Sequence, residues 1–184
     1  MTKEVAHAGL DLLLRMYDEN KEDSFINHHT VGVILEFIGG EPFMNIEVIE
    51  DATEYWINKL ITLNHPWLTN FRISIASNGL LYFDERVQHY LEKYKPFISL
   101  TISIDGPKEL HDSCRKDHEG KGSFERSFAA WLHWRDHGNS FIDTKATFAP
   151  ENLPYMNEII QFFMDNGARL VYANPIYEAD WTPE

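Results

Sequence analysis

Several short stretches of this sequence carry residue types suited to holding a small polar ligand. The first is Gly39-Gly40-Glu41-Pro42. Two adjacent glycines let the backbone approach a ligand and expose its N–H and C=O groups. Glu41 offers a carboxylate suited to a protonated amine, and Pro42 stiffens the exit. A plain tight turn is the simpler reading of the same four residues. The second stretch is Ser103-Ile104-Asp105-Gly106. Alternation along an extended segment places Thr101, Ser103 and Asp105 on one face, opposite Leu100, Ile102 and Ile104. A polar stripe turned into a small barrel is costly unless a ligand, water or mutual hydrogen bonds satisfy it. Twelve residues beyond Ser103, Arg115 brings a guanidinium fork that could hold a carboxylate. Asp105-Gly106-Pro107 also reads as an ordinary turn, and Arg115 as a surface arginine in a charged loop.

Asn78-Gly79 is a further turn of the same kind, with Asn78 a pocket-lining candidate or a turn former. Glu36 sits within an apolar segment, where an unpaired charge is expensive, so it either pairs with Lys145 or faces water. Other conspicuous residues read as structural. Adjacent His28 and His29 make a poor bidentate metal site, and His111, His118, His133 and His137 lack ligand spacing. Trp131 and Trp134, three apart, read as the packing face of a helix. Cys114 is the single cysteine, which excludes an internal disulfide and any thiolate metal cage built from this chain alone.

The elements that must position these residues alternate between helix and strand. Helices are expected over residues 2–20, 45–63, 83–94, 123–137 and 153–166. Strands are expected over 31–38, 71–76, 97–104, 143–148 and 170–177, the first as a continuously apolar, buried strand. Asn45 and Ser123 read as N-caps, and His137-Gly138-Asn139 as a helix stop. The stretch between Pro107 and Ser123 reads as a charged loop. This alternation signals βαβ units and a parallel α/β sheet, in which ligands sit at the carboxyl ends of the strands. Every unusual turn above follows a strand, so the candidates fall on one rim.

Composition narrows the function classes. With 184 residues and 43% hydrophobic content, the chain is expected to be one globular domain, spanning 1–184. A net charge of −13 argues against a nucleic-acid partner, because no basic excess exists to displace counterions. No stretch reaches the roughly 20 apolar residues of a membrane helix, and residues 1–5 do not resemble a signal peptide, so no membrane role and a cytoplasmic location are expected.

In this order, the turns resemble the radical S-adenosylmethionine (radical SAM) superfamily, in particular its peptide-modifying branch of anaerobic sulfatase-maturating enzymes and ribosomal-peptide maturases. The resemblance rests on Leu35-Glu36-Phe37-Ile38-Gly39-Gly40-Glu41-Pro42, Ala76-Ser77-Asn78-Gly79 and Ser103-Ile104-Asp105-Gly106-Pro107. His111, Arg115, Gly122-Ser123-Phe124 and Lys145-Ala146-Thr147-Phe148-Ala149-Pro150-Glu151-Asn152-Leu153 complete it. It implies an incomplete (β/α)6 barrel, a partial TIM-type barrel with about five parallel strands. It also implies that Gly39, Gly40 and Glu41 bind the amino group of S-adenosylmethionine and that Ser103 and Arg115 contact its ribose or carboxylate. Asn78 would line the same pocket. The edge from Ala173 to Ile176 would flank the adenine, and Asp105 and Lys145 would lie on the pocket floor or the substrate side.

The sequence departs from the family in lacking the three-cysteine loop that holds a [4Fe–4S] cluster, together with the first strand. The resemblance therefore implies the binding portion of a longer oxidoreductase or maturase, inactive alone, whose parent would need the cluster, a reductant and a peptide or protein substrate. The start of the first helix at Thr2 and the tail Trp181-Thr182-Pro183-Glu184 both read as cut ends. The alternative is a cluster-free degenerate barrel that binds peptides. A missing first strand would leave residues 31–37 as an open edge, inviting strand addition or self-association. A phosphate-binding barrel is disfavoured, because the first glycine turn offers Glu41 where a phosphate needs positive charge.

Overall fold

A computed structural model of the protein describes residues 1–138 and 144–181. It contains six α-helices, α1 Lys3–Glu19, α2 Ile46–Thr62, α3 Glu85–Tyr94, α4 Lys108–Cys114, α5 Phe124–His137 and α6 Met156–Asp165, among the described residues. Five strands accompany them, β1 Val33–Phe37, β2 Phe71–Ser77, β3 Ile98–Ser103, β4 Thr144–Phe148 and β5 Val171–Pro175, and their order in the sheet follows the sequence. The expected helix stop at Asn139, the strand start at Asp143 and the end of the tail, 182–184, lie outside the described residues. The chain divides into two compact units, Met1–Ser74 and Ile75–Glu184.

In the first unit, α1 packs on α2 through Ala6, Leu10 and Leu14, spaced one helical turn apart. The Thr2 hydroxyl accepts from the Val5 amide and caps α1, and Asn20 in the left-handed region ends it. Trp56 and Trp67 are fully buried beside each other, with Tyr17 and His65 against Trp67. Strand β1 departs from expectation. Only Leu35 is buried, while Ile34 is 69% exposed, and Val31 and Ile38 on its flanks are open as well. Apolar composition alone predicts burial, but β1 is the edge of the sheet and its faces are incompletely covered. Glu36 on the same strand is exposed to solvent.

In the second unit, alternation along β3 is strict. Ile98, Leu100 and Ile102 are buried on one face, while Ser99, Thr101 and Ser103 line the other. Strands β3, β4 and β5 are parallel, with Ser103 opposite Lys145 and Lys145 opposite Tyr172. Helix α5 covers the apolar face with Ala130, Trp131 and Trp134. Trp131 packs against Phe128, Phe162 and Phe163, so the two tryptophans do form a packing face.

Several boundaries move for local reasons. Helix α3 starts two residues later than expected because Asp84 is its N-cap, accepting from the Arg86 and Val87 amides. Ahead of α6 lies a 3-10 helix, Pro150–Tyr155, because Pro154 has no amide to donate to an α-helical ladder. The stretch expected to be a charged loop contains α4, seven residues too short and too polar to show a helical period.

Candidate functional site

In the first unit, the turn after β1 forms one wall of a cleft of about 280 Å3, lined by Glu36, Gly39, Glu41, Pro42, Asn45 and Ile49 among others. Gly39 and Gly40 have φ of 89° and 53°, in the region where a side chain is strained. A Cβ on either would meet nothing within 4 Å, so the turn presents bare backbone to open space. Glu41 caps the short 3-10 helix Pro42–Asn45, its Oε1 accepting from the Phe43 amide at 3.1 Å. The carboxylate is thereby held in place at the end of the strand.

In the second unit, a connected polar network lies beyond the ends of β3 and β4. Asp105 is buried, and Arg115 grips it from two points, Nε on Oδ2 and Nη2 on Oδ1, the latter at 3.1 Å. Nη2 also reaches Thr147 Oγ1 at 3.3 Å, and the Thr147 amide donates to Asp105 Oδ1 at 2.7 Å. The carboxylate thus joins β3 to β4 as well as to Arg115. His111, fully buried on α4, stands beneath this group. Its Nδ1 accepts from the Asp105 amide at 3.3 Å, and its Nε2 pairs with Ser123 Oγ at 2.9 Å. Ser123 Oγ in turn donates to the Arg115 carbonyl at 3.0 Å. Since Nδ1 must accept, the imidazole is the neutral Nε2–H tautomer. Burial holds His111 below its ordinary pKa, despite the attraction of Asp105 for a proton.

Ser123 therefore does not cap α5 with its side chain. Asp112 does so from α4, its Oδ1 accepting from the Phe124 amide at 2.9 Å. Burial alone would raise the pKa of Asp112, but the Phe124 amide and Lys108 outweigh it and hold the group below the usual carboxylate range. Asn78 Oδ1 accepts from the Leu80 amide at 2.9 Å, closing an Asx turn, and the Asn78 carbonyl accepts from Ser127 Oγ at 2.6 Å. Its neighbour Gly79, at φ 80°, packs so closely that a Cβ would lie 3.1–3.2 Å from Ile102, Ala130 and Ser127.

Within this unit the structure pairs Asp105 with Arg115 and places Ser103 and Lys145 side by side. Ile176 has its backbone engaged, its amide donating to the Phe148 carbonyl and its own carbonyl accepting from Trp181 Nε1 at 2.8 Å. Gly39, Gly40 and Glu41 form their own group in the first unit. His111 and Thr147 join this network, although neither stands out in the sequence as a binding-region residue. The period-two step from Lys145 to Thr147 on β4 was the signal available for the latter.

No family model matches the chain. It is 24% identical over 151 residues to the radical SAM cyclopropyl synthase TigE of Paramaledivibacter caminithermalis, covering 82% of this chain and 29% of that protein. It is 27% identical over 159 residues to the serine-type anaerobic sulfatase-maturating enzyme of Bacteroides thetaiotaomicron, covering 85% and 36%. The structure of native anSMEcpe with bound AdoMet superposes over 100% of this chain and 47% of that one, with a TM-score of 0.75 at 20% identity. The chain is a relative of the radical SAM enzymes. Its fold is the incomplete, parallel-stranded α/β barrel of that group. It spans between 25% and 46% of the length of the curated proteins it matches.

A radical SAM enzyme implies a [4Fe–4S] cluster, and the residues of this chain do not fit one. The sequence has a single cysteine, Cys114, which is exposed on α4. Among the described residues no group of three His, Cys, Asp or Glu side chains gathers in a way that could hold a metal. The bare glycine turn with its fixed carboxylate, by contrast, offers oxygens of the kind that suit a protonated amine. Among the described residues no helix is long and apolar enough to cross a membrane.

Proposed function

We propose that this chain is the S-adenosylmethionine-binding portion of a radical SAM enzyme that modifies a peptide or protein side chain. The observation that carries the reading is the turn after β1, where Gly39 and Gly40 adopt positive φ beneath open space and Glu41 is anchored beside them. Backbone carbonyls and a fixed carboxylate suit a protonated α-amine. Support comes from the fold shared with AdoMet-bound anSMEcpe and from the similarity to the radical SAM cyclopropyl synthase TigE and to a serine-type anaerobic sulfatase-maturating enzyme.

On this reading Gly39, Gly40 and Glu41 hold the amino group. By resemblance, Ser103 and Arg115 would contact the ribose or carboxylate of S-adenosylmethionine, and Asn78 would line the pocket. Arg115 serves through Nη1, because Nε and Nη2 already bind Asp105 and Thr147. S-adenosylmethionine would be the source of the hydrogen-abstracting group, once an electron donor outside these residues reduces it. The chain's own residues hold and orient it, and no reaction step is assigned to a cluster that these residues do not bind.

Calorimetric titration with S-adenosylmethionine tests the proposal. Saturable binding is expected, weakened about tenfold or more in Gly40→Val, whose side chain occupies the open approach. Circular dichroism checks that the variant folds. No heat of binding up to about 10 mM ligand, with the fold intact, would overturn it.

A cluster-free peptide-binding role is the second reading, favoured by the exposure of β1. An added strand would pair with its open edge. A labelled extended peptide that binds the chain without S-adenosylmethionine, and is lost in Ile34→Pro, is the result that reading expects.

A further inference from the structure

We propose that Lys145 is a carboxylate-recognition residue, with Ser103 and Tyr172 as its register partners on the neighbouring strands. The proposal deepens the binding reading above by naming the ligand group that the β3–β5 face takes. Ser103, Lys145 and Tyr172 are register partners on three adjacent parallel strands, so their side chains leave the same face about 4.8 Å apart. The opposite face at this level is buried, with Ile102, Thr144 and Ala146 on it.

Lys145 is half-buried, and its Nζ lies 5.9 Å from the centre of the Tyr172 ring. That contact restrains the long side chain but takes up none of its three N–H donors. Among the described residues, the strand positions sharing its face are Thr101 and Ser103 on β3, Thr147 on β4, and Tyr172 and Asn174 on β5, none of them charged. Asp105, just past the end of β3, is gripped from two points by Arg115. Among the described residues no carboxylate lies within ion-pair reach of Lys145. A half-buried lysine flanked by Ser103 and Tyr172 on the neighbouring strands, with no counterion among the described residues, is suited to a ligand anion. In a chain of net charge −13 such attraction is local, so it selects a carboxylate that reaches this face.

The carboxylate has two sources, an acidic peptide residue or S-adenosylmethionine itself. Titrations of the 184-residue chain with four probes separate them: acetyl-Gly-Glu-Gly-amide, its Gln counterpart, S-adenosylmethionine and the decarboxylated form of S-adenosylmethionine. Lys145→Gln is expected to weaken one carboxylate-bearing probe about tenfold while sparing its carboxylate-free counterpart, and Lys145→Arg is expected to restore much of the affinity. Loss for the Glu peptide alone supports the proposal with a substrate carboxylate. Loss for S-adenosylmethionine but not its decarboxylated form supports it with the cofactor's carboxylate. If Lys145→Gln changes neither pair, or if neither carboxylate probe binds the wild type better than its counterpart, the proposal is overturned. Wild type that binds the Glu peptide but not S-adenosylmethionine removes the cofactor reading and leaves this one standing.

Discussion

Arg115 and Asp105 form a two-point ion pair in which the carboxylate is 4% exposed and the guanidinium 29% exposed. Asp105 also accepts the Thr147 amide, so the pair ties α4 and the loop after it to β3 and β4. Removing the cation leaves a buried negative charge. Arg115→Ala is therefore expected to destabilise the protein by about 3 kcal/mol. Arg115→Lys recovers part of this, since a lysine cannot make the paired contact. Denaturant unfolding measures both, and a change within about 0.5 kcal/mol for Arg115→Ala contradicts the network.

The neutral state of His111 gives acid sensitivity with a defined sign. Burial lowers its folded pKa below the ordinary 6.5. The unfolded chain thus takes up a proton first. The contribution of His111 is fully present above about pH 6.5 and declines as pH falls below it, by up to about 1.4 kcal/mol per pH unit until the folded pKa is reached. His65 and His133 are shifted the same way by burial and add to the slope. His111→Gln is expected to be less stable at pH 7.5 yet to lose less between pH 7.5 and 5.5, as read from unfolding midpoints. An unchanged slope would count against the neutral, Asp105-bound imidazole.

Gly79 is required by both conformation and space. At φ 80° an added methyl strains the backbone, and it also presses Ile102, Ala130 and Ser127. Gly79→Ala is expected to cost about 2 kcal/mol. Thermal unfolding checks this against Gly40→Ala, which shares a positive φ but meets open space and is expected to cost about 1 kcal/mol. Equal losses would remove the packing half of the argument.

Strand β1 presents Ile34 at an open edge. Concentration-dependent self-association is expected, and a charge at this position should suppress it. Sedimentation velocity of wild type and Ile34→Lys reads the difference. A wild type that stays monomeric at high concentration is the contrary result.

Much of the architecture was legible in the residues. Period-two alternation along β3 announced a face of Thr101 and Ser103 opposite one of Leu100 and Ile102, because strand geometry is local. Asn78 acts through its own neighbour's amide, and such a short-range contact follows from residue type and spacing, although the equally local Asp84 cap shifted the start of α3. The paired glycines after β1 likewise announced a turn of positive φ. Long-range relations were not legible. No local pattern says that β1 is an edge strand with Ile34 in solvent, since burial depends on what covers it. The same holds for Asp112, whose carboxylate caps α5 in place of Ser123. Nor does spacing reveal that Arg115 turns onto Asp105 while Lys145 keeps no counterion among the described residues. Residue types and periodicity determined the elements and the order of the strand-end turns. Which charges are neutralised inside the protein was decided only by tertiary packing, because an ion pair depends on distances that the chain sets after it folds.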